Sequence, residues 1–220
     1  MKITLTFDNG PDPETTPVVL EILRRHGILS TFFVLGSKAS TPAGSPLVTR
    51  CIAAGHRVGN HTWSHRTPLG ELDPASATEE LQRTHELLQS LGVVDRVFRP
   101  FGRAGQIGTH LLNPAVVAWL QAHQYSCVLW NCVPGDWRDP DGWRDRALAD
   151  VLTRPWSVVV LHDLPTGAMR HLDSFIVKLK EAGAGFEQGF PPECVPIDSG
   201  RIVLPLSGYV AGSHDDLDRS

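Results

Sequence analysis

Ile3-Thr4-Leu5-Thr6-Phe7-Asp8-Asn9-Gly10-Pro11 is the stretch that decides the fold. Apolar residues alternate with threonine as far as Phe7, which predicts a β-strand, and the run then ends in Asp-Asn-Gly-Pro, which is typical of a turn. Gly10 can adopt unusual backbone dihedrals, and Pro11 cannot continue a hydrogen-bonded ladder. The strand therefore brings the carboxylate of Asp8 to its far end, a good position for chemistry, although an ordinary Asx turn has the same sequence.

Helices and strands alternate after this turn. The predicted helices cover residues 13–26, a stretch ending at 54, 72–91, 114–124, 141–152 and 168–181, and the later strands cover 31–35, 96–98, 126–131, 157–161 and 201–204. This order indicates a parallel α/β architecture, and the polar residues at the strand ends favour a closed or distorted (β/α) barrel. A flat doubly wound sheet is the alternative, but the glycine-rich phosphate signature is absent after the first strand. We expect one domain, with a barrel over 1–182 and a Gly/Pro-rich extension with a polar tail over 183–220 packed on it.

Composition excludes several classes of partner. The 220 residues carry a formal net charge of -4, with no basic surface run for a polyanion, so neither nucleic acid nor an anionic membrane is an expected partner. The amino terminus shows no signal-peptide pattern and the chain shows no transmembrane run, which predicts a cytoplasmic protein acting on a small molecule. The four cysteines lack metal-type spacing, so we interpret them as reduced packing residues.

His61-Thr62-Trp63-Ser64-His65 places two histidines four residues apart. If this segment forms one helical turn, both imidazoles project from the same side and can share a divalent metal ion. Two core or exposed histidines are an equally reasonable interpretation of the pair alone. A metalloprotease of the HExxH type is disfavoured because Thr62 stands where the glutamate is required.

Other polar residues at predicted strand ends complete a possible reaction centre. Asp8 could accept a proton from metal-bound water, and His162 could protonate a leaving amine. Arg99 could keep Asp8 ionised, and Asp136 could favour the charged form of His162. Each has an ordinary structural interpretation when it is taken singly.

The motifs TFDNGP, HTWSH, RPFG, GDW and LHD, in this order between Ile3 and Phe175, resemble those of the polysaccharide deacetylase family, also called the NodB-homology or carbohydrate esterase family four. The resemblance implies a distorted (β/α) barrel and metal-dependent hydrolysis of an N-acetyl group on a sugar amine, most often with zinc and otherwise with cobalt or manganese. By position it implies the following roles: Asp8 as base, His162 as acid, Arg99 and Asp136 as their supports, His61 and His65 as metal ligands, and Phe101, Trp137 and Leu161 around the substrate. Trp63 is a further candidate for stacking on a sugar.

Asn9 departs from the family pattern. The family usually has Asp-Asp in the first motif, and its second aspartate completes the metal site, whereas this chain offers a neutral amide as the third ligand. An amide oxygen binds transition metals less strongly than a carboxylate does.

Three functions remain open at this point. The leading prediction is a metal-dependent hydrolase that removes an acetyl or similar acyl group from a small soluble amino-sugar or related amide. Asn9 keeps a second prediction open, a metal-independent cyclic amide or ureide hydrolase that resembles the allantoinase-like branch. The third is a catalytically silent binder of a carbohydrate or metabolite.

Overall fold

The structure is a computed structural model that describes residues 1–212. The chain divides into two compact units, and we call them the first and the second unit. The first unit comprises Met1–Val34, Lys38–Val58 and Trp130–Pro191, and the second comprises Leu35–Ser37, Gly59–Leu129 and the chain from Pro192 onward. The predicted boundary at residue 182 stays a prediction, and the predicted polar tail after Gly212 lies outside the described residues.

Nine strands and seven α-helices form within residues 1–212. The strands are β1 (Lys2–Asp8), β2 (Thr31–Val34), β3 (Arg57–Asn60), β4 (Val97–Phe98), β5 (Ser126–Cys127), β6 (Trp156–His162), β7 (Gly185–Phe186), β8 (Ile197–Asp198) and β9 (Arg201–Ile202). The helices are α1 (Thr15–His26), α2 (Gly36–Ala39), α3 (Gly44–Ala53), α4 (Pro74–Ser90), α5 (Pro114–Ala122), α6 (Trp143–Val151) and α7 (Leu172–Glu181). None of these helices is both apolar enough and long enough to cross a bilayer.

The sheet of the first unit is built around β1. This strand pairs in parallel with β6 over its whole length, with β2 over its last three residues, and with β7 over Lys2 and Ile3. All residues of β1 after Lys2 are buried, as expected of a parallel strand covered on both faces. The register sets Asp8 directly beside His162, because both residues end their strands at the same edge.

The sheet of the second unit is built around β4. Phe98 in β4 pairs in parallel with Asn60 at the end of β3 and with Cys127 in β5. β5 then pairs antiparallel with β8, which forms a hairpin with β9. His61 and Arg99 each follow directly after a paired residue, so both begin loops at the carboxyl ends of parallel strands.

The helix limits have local causes. α1 begins two residues later than predicted, and the Asp12 carboxylate accepts hydrogen bonds from the amides of Glu14 and Thr15 just before it. α1 ends at His26, and the next residue, Gly27, has φ of 65° and closes the last turn as a left-handed cap. α4 begins after Asp73, whose side chain accepts from the amides of Ala75 and Ser76.

Several predicted limits are wrong. The strand predicted over 126–131 ends at Cys127. The Val128 amide still donates to the Phe98 backbone oxygen in β4, but the Leu129 amide donates to the Cys194 backbone oxygen in another segment, so the ladder stops. The helix predicted over 168–181 is a 3-10 turn at Ala168–His171 followed by α7. β7 and β8 were not predicted, since two residues are too few to show a period.

Candidate functional site

Asp8 and His162 form the centre of a cluster in the first unit. They are register partners on adjacent parallel strands, and only 4% and 8% of their surfaces are exposed. The side chains of Asp136 and Asp163 complete what we call the acid–base cluster, and both are fully buried. Four ionisable groups in so little solvent are costly to bury unless they are paired or protonated. Each of these groups is therefore expected to have a hydrogen-bond partner, an opposite charge or a proton that offsets its burial.

Asp136 fixes His162 at two points. One carboxylate oxygen accepts from the His162 backbone amide at 2.9 Å, and the other lies 2.9 Å from the ring Nδ1. Because a carboxylate can only accept, Nδ1 carries a proton and Nε2 is the nitrogen that exchanges its proton. Trp137 contacts the same ring edge-on, with the ring centroids 4.7 Å apart. The imidazole is thus held in one orientation and one tautomer.

Competing effects set the pKa of His162. Burial lowers it, but the hydrogen bond that Nδ1 donates to Asp136 and the negative charges of Asp136 and Asp8 raise it, and the net pKa is raised. The imidazolium is therefore favoured beyond its ordinary pH range, which suits a residue that must give a proton to a leaving group.

Asp163 is the residue of this cluster that the sequence analysis did not assign. Burial raises the pKa of its carboxyl to about 7, against a lowering by the hydrogen bond from Thr16. Thr16 Oγ1 donates to Oδ2 at 2.5 Å, whereas Oδ1 is buried without a hydrogen-bond partner among the described residues. A Cβ on Gly10 would lie 2.2 Å from Oδ2, so the carboxyl packs directly on the turn after Asp8. The LHD motif contains Asp163, but only the fold shows what it touches.

Asn9 occupies this turn in a left-handed conformation, with φ of 68°. Asparagine and aspartate tolerate this region better than other side chains do. Its amide oxygen is buried and has no hydrogen-bond partner within residues 1–212. A buried acceptor of this kind costs about 1–3 kcal/mol if nothing satisfies it, so Asn9 fits a position next to a cation or a bound water.

The two predicted histidine ligands lie in the second unit, on residues 61–65, which we call the histidine loop. The helical turn on which that interpretation depended does not form: the segment is an irregular bend, with φ of 69° at Thr62 and 53° at His65. Left-handed backbone at such residues costs about 1–3 kcal/mol each. The bend nevertheless brings the rings of His61 and His65 to 5.0 Å between centroids.

The tautomer of His61 suits a metal ligand. Its Nδ1 lies 2.8 Å from the backbone oxygen of Arg99, so Nδ1 carries the proton and Nε2 the lone pair. His65 stacks on Phe101, with centroids 3.8 Å apart and planes 23° from parallel. Two oriented imidazoles fit a divalent metal as part of its ligand set, whereas no group of three or more His, Cys, Asp or Glu within residues 1–212 is arranged to hold one.

Two further predicted residues, Arg99 and Trp63, make contacts within the second unit. Arg99 is fully buried, and its guanidinium donates to the backbone oxygens of Val128 and Leu129. It is thus not a surface residue, and its support of Asp8 stays a prediction. The Arg83 guanidinium lies 4.0 Å from the ring centroid of Trp63 and covers it, which competes with a sugar at that face. The substrate roles of Trp63, Phe101, Trp137 and Leu161 also stay predictions.

A groove of about 470 Å³ lies beside His65 and Phe101 in the second unit. Its charged lining consists of Arg66, Glu71 and Arg103, and the last two form an ion pair at 2.6 Å. The charged side chains on this groove offer hydrogen-bonding groups to a polar ligand.

Comparisons with known proteins identify the family to which the sequence is similar. The sequence family described as polysaccharide deacetylase matches residues 1–115. The chain is 32% identical over 192 residues to a peptidoglycan-N-acetylglucosamine deacetylase of Bacillus cereus, covering 84% of the chain and 66% of that protein. It is 34% identical over 175 residues to a chitooligosaccharide deacetylase of a Bradyrhizobium species, covering 76% of the chain and 74% of that protein.

One solved structure is a mutant, with restored enzymatic activity, of a carbohydrate esterase family 4 pseudoenzyme from Bacillus anthracis. It is 26% identical with a TM-score of 0.71, and the match covers 84% of this chain and 64% of that one. The chain therefore spans about two thirds of the length of the first of these relatives and of this structure. The predicted fold class, an α/β distorted barrel of the NodB-homology type, is confirmed by this match.

Proposed function

Because the chain belongs to the polysaccharide deacetylase family, we propose that it hydrolyses the N-acetyl group of an amino-sugar residue in an oligosaccharide or polysaccharide. Membership confirms the predicted class, a deacetylase-type amidohydrolase. The observation that carries the proposal is the register pair of Asp8 and His162, with Asp136 on the ring Nδ1 of the histidine.

The acid–base cluster suits both proton transfers of amide hydrolysis. Asp8 accepts a proton from water as the water oxygen bonds to the acetyl carbon. His162, charged because Asp136 raises its pKa, then donates its Nε2 proton to the amine nitrogen as the C–N bond breaks. The products are acetate and the free amino-sugar. Asp136 holds the ring in place throughout.

His61 and His65 are the residues that would hold a divalent metal ion in this proposal. Zinc is the first choice, and cobalt or manganese are possible substitutes. When such an ion is bound, it supplies Lewis acidity to water and to the amide carbonyl. The family pattern has a second aspartate where this chain has the neutral Asn9, so we expect weaker metal binding than two aspartates in the first motif would give.

The substrate is proposed as a saccharide chain because the relatives carry the names of peptidoglycan and chitooligosaccharide deacetylases. The charged residues that line the groove beside His65 are compatible with the same choice. A small soluble amino-sugar substrate and a cytoplasmic location stay narrower predictions. Rates on N-acetylglucosamine, its oligomers and peptidoglycan would decide between a monomer and a chain.

Asn9 supports a second candidate, a silent carbohydrate binder, because the neutral residue weakens the metal site. A solved relative with the same fold is described as a pseudoenzyme. The retained Asp8, Asp136 and His162 argue against this candidate, since binding alone needs no acid and base together. The cyclic amide or ureide hydrolase is kept as an outcome of the same test.

The experiment measures acetate release from chitooligosaccharides and peptidoglycan by purified wild-type protein and by Asp8→Asn, each with and without a chelator. We expect release by the wild type, loss with chelator, and at least a hundredfold lower rate for Asp8→Asn. Saccharide binding without release would favour the silent binder. Chelator-insensitive opening of cyclic ureides, without acetate release, would favour the other hydrolase.

A further inference from the structure

We propose that Glu80 of α4 is the positioning residue that sets the geometry of the His61–His65 pair for metal binding. The inference rests on the proposed function, because it takes these two imidazoles as metal ligands. It concerns one side chain that lies outside the recognised motifs and that holds the residues between the two histidines.

One carboxylate holds the middle of the histidine loop at three points. Glu80 Oε2 accepts from the backbone amides of Trp63 at 3.0 Å and Ser64 at 2.7 Å. Its Oε1 accepts from the Ser64 hydroxyl at 2.7 Å. Hydrogen bonds to an ionised acceptor are about twice as strong as neutral ones, so this attachment dominates the local geometry. The carboxylate thus fixes the two residues between the histidines.

The loop needs such an attachment because its backbone is strained. Thr62 and His65, which stand on either side of the attached amides, both have positive φ. Threonine is β-branched and rarely adopts this conformation. A strained segment keeps its shape only when its surroundings determine it, and Glu80 is a charged group from a long helix that does so.

α4 contacts the loop through a second path. The Asn60 side chain donates to the Leu81 backbone oxygen at 3.0 Å, and its own oxygen accepts from the Thr62 amide at 2.9 Å. Glu80 and Leu81 are adjacent in α4, so one turn of the helix holds the beginning and the middle of the loop. His61 and His65 flank the residues that this turn holds.

The test is zinc affinity, measured by competition with a chelator dye on folded, metal-free protein. We expect Glu80→Gln to weaken zinc binding about 10–100-fold, because the amide group replaces one acceptor oxygen with a donor that faces N–H groups. Ser64→Ala removes only the hydroxyl bond, and we expect a smaller loss of a few-fold. The matched control is Glu86→Gln on the exposed face of α4, where the carboxylate accepts from Gln82, and its zinc affinity should stay within about twofold of wild type.

Zinc affinity of Glu80→Gln within about twofold of wild type, in folded protein, overturns the inference. Should that variant not fold, Ser64→Ala decides, and an unchanged affinity overturns the inference. Wild-type protein that binds zinc tightly but releases no acetate refutes the proposed function alone. Wild-type protein that binds no zinc refutes both.

Discussion

At the level of single residues, Asp136 controls the charge on His162 through the bond to ring Nδ1. Asp136→Asn removes the charge that raises the pKa of the imidazole, so the imidazolium loses its proton at lower pH. We expect kcat to fall about 10²–10⁴-fold and the alkaline limb of the pH–rate profile to move to lower pH. A profile measured over pH 5 to 9 checks both effects.

The control for this prediction is Asp139→Asn. Asp139 lies close to Asp136 in the sequence, but its carboxylate is half exposed and pairs with Arg146. It should leave kcat and the pH profile unchanged. An alkaline limb that stays in place for Asp136→Asn, with a reduced kcat, would contradict the role given to the charge.

Asp163 links single-residue chemistry to stability. In the folded state the raised pKa keeps the proton on the Asp163 carboxyl to about pH 7, whereas in the unfolded chain the carboxyl loses it near the ordinary pKa of 3.8. The contribution of this pKa difference to the free energy of unfolding is fully present below about pH 4. It is lost as pH rises through 7, by roughly 4 kcal/mol at most. In Asp163→Asn the side chain is uncharged in both the folded and the unfolded state, so this variant lacks the pH dependence.

Urea unfolding of metal-free wild type and Asp163→Asn at several pH values would test this. The wild-type free energy of unfolding should decline relative to that of the variant between pH 4 and 7. Parallel curves for the two proteins would show that the carboxyl is ionised in the folded protein across this range.

At the level of elements, the turn after β1 is shaped by a close approach. A methyl group on Gly10 would collide with the Asp163 carboxyl, whose Cγ lies 2.5 Å from the Cβ position. We expect Gly10→Ala to destabilise the protein by about 1–3 kcal/mol, measured by thermal or urea unfolding. The control is Gly208→Ala, because nothing lies within 4 Å of its Cβ position.

Combining Gly10→Ala with Asp163→Ala should recover part of the lost stability, since the collision partner is gone. Fully additive losses in the double variant would mean that the two residues do not interact.

The histidine loop shows what the sequence could not provide at this scale. The spacing of His61 and His65 suggested a helical turn, yet the rings approach each other through an irregular bend. Its shape depends on Glu80, which is 15 residues beyond His65, and such a contact leaves no periodic signal. The alternating pattern of β1 and the continuous apolar run of β6, in contrast, correctly predicted these strands, because both are long and are buried beyond their first residue.

At the level of the whole molecule, the alternation of strands and helices was sufficient for the fold class, and five ordered motifs were sufficient for the family. Short elements such as β7 and β8 were not predictable, because their two residues are defined only by their partners. The division into two compact units was also not predictable, since no linker separates them in the sequence.

In the proposed function, Asn9 is expected to influence how strongly the protein depends on added metal. Asn9→Asp keeps a residue type that tolerates positive φ and adds a negative charge to a buried oxygen that has no hydrogen-bond partner within residues 1–212. We expect tighter metal binding, by about tenfold or more, and faster deacetylation at limiting zinc. Metal content after dialysis against a zinc buffer is the measurement.

The control for this substitution is Asn9→Gly, which accepts the same φ but has no side-chain oxygen. It should bind metal no better than wild type. Equal metal content in all three proteins would show that Asn9 has no part in metal binding.

The most direct test of the central claim is acetate release from a chitooligosaccharide by metal-free protein during titration with zinc. Deacetylation should rise with zinc and saturate at about one ion per chain, and it should remain near background in His61→Ala. If no acetate is released at any zinc, cobalt or manganese concentration, the protein is not a metal-dependent deacetylase.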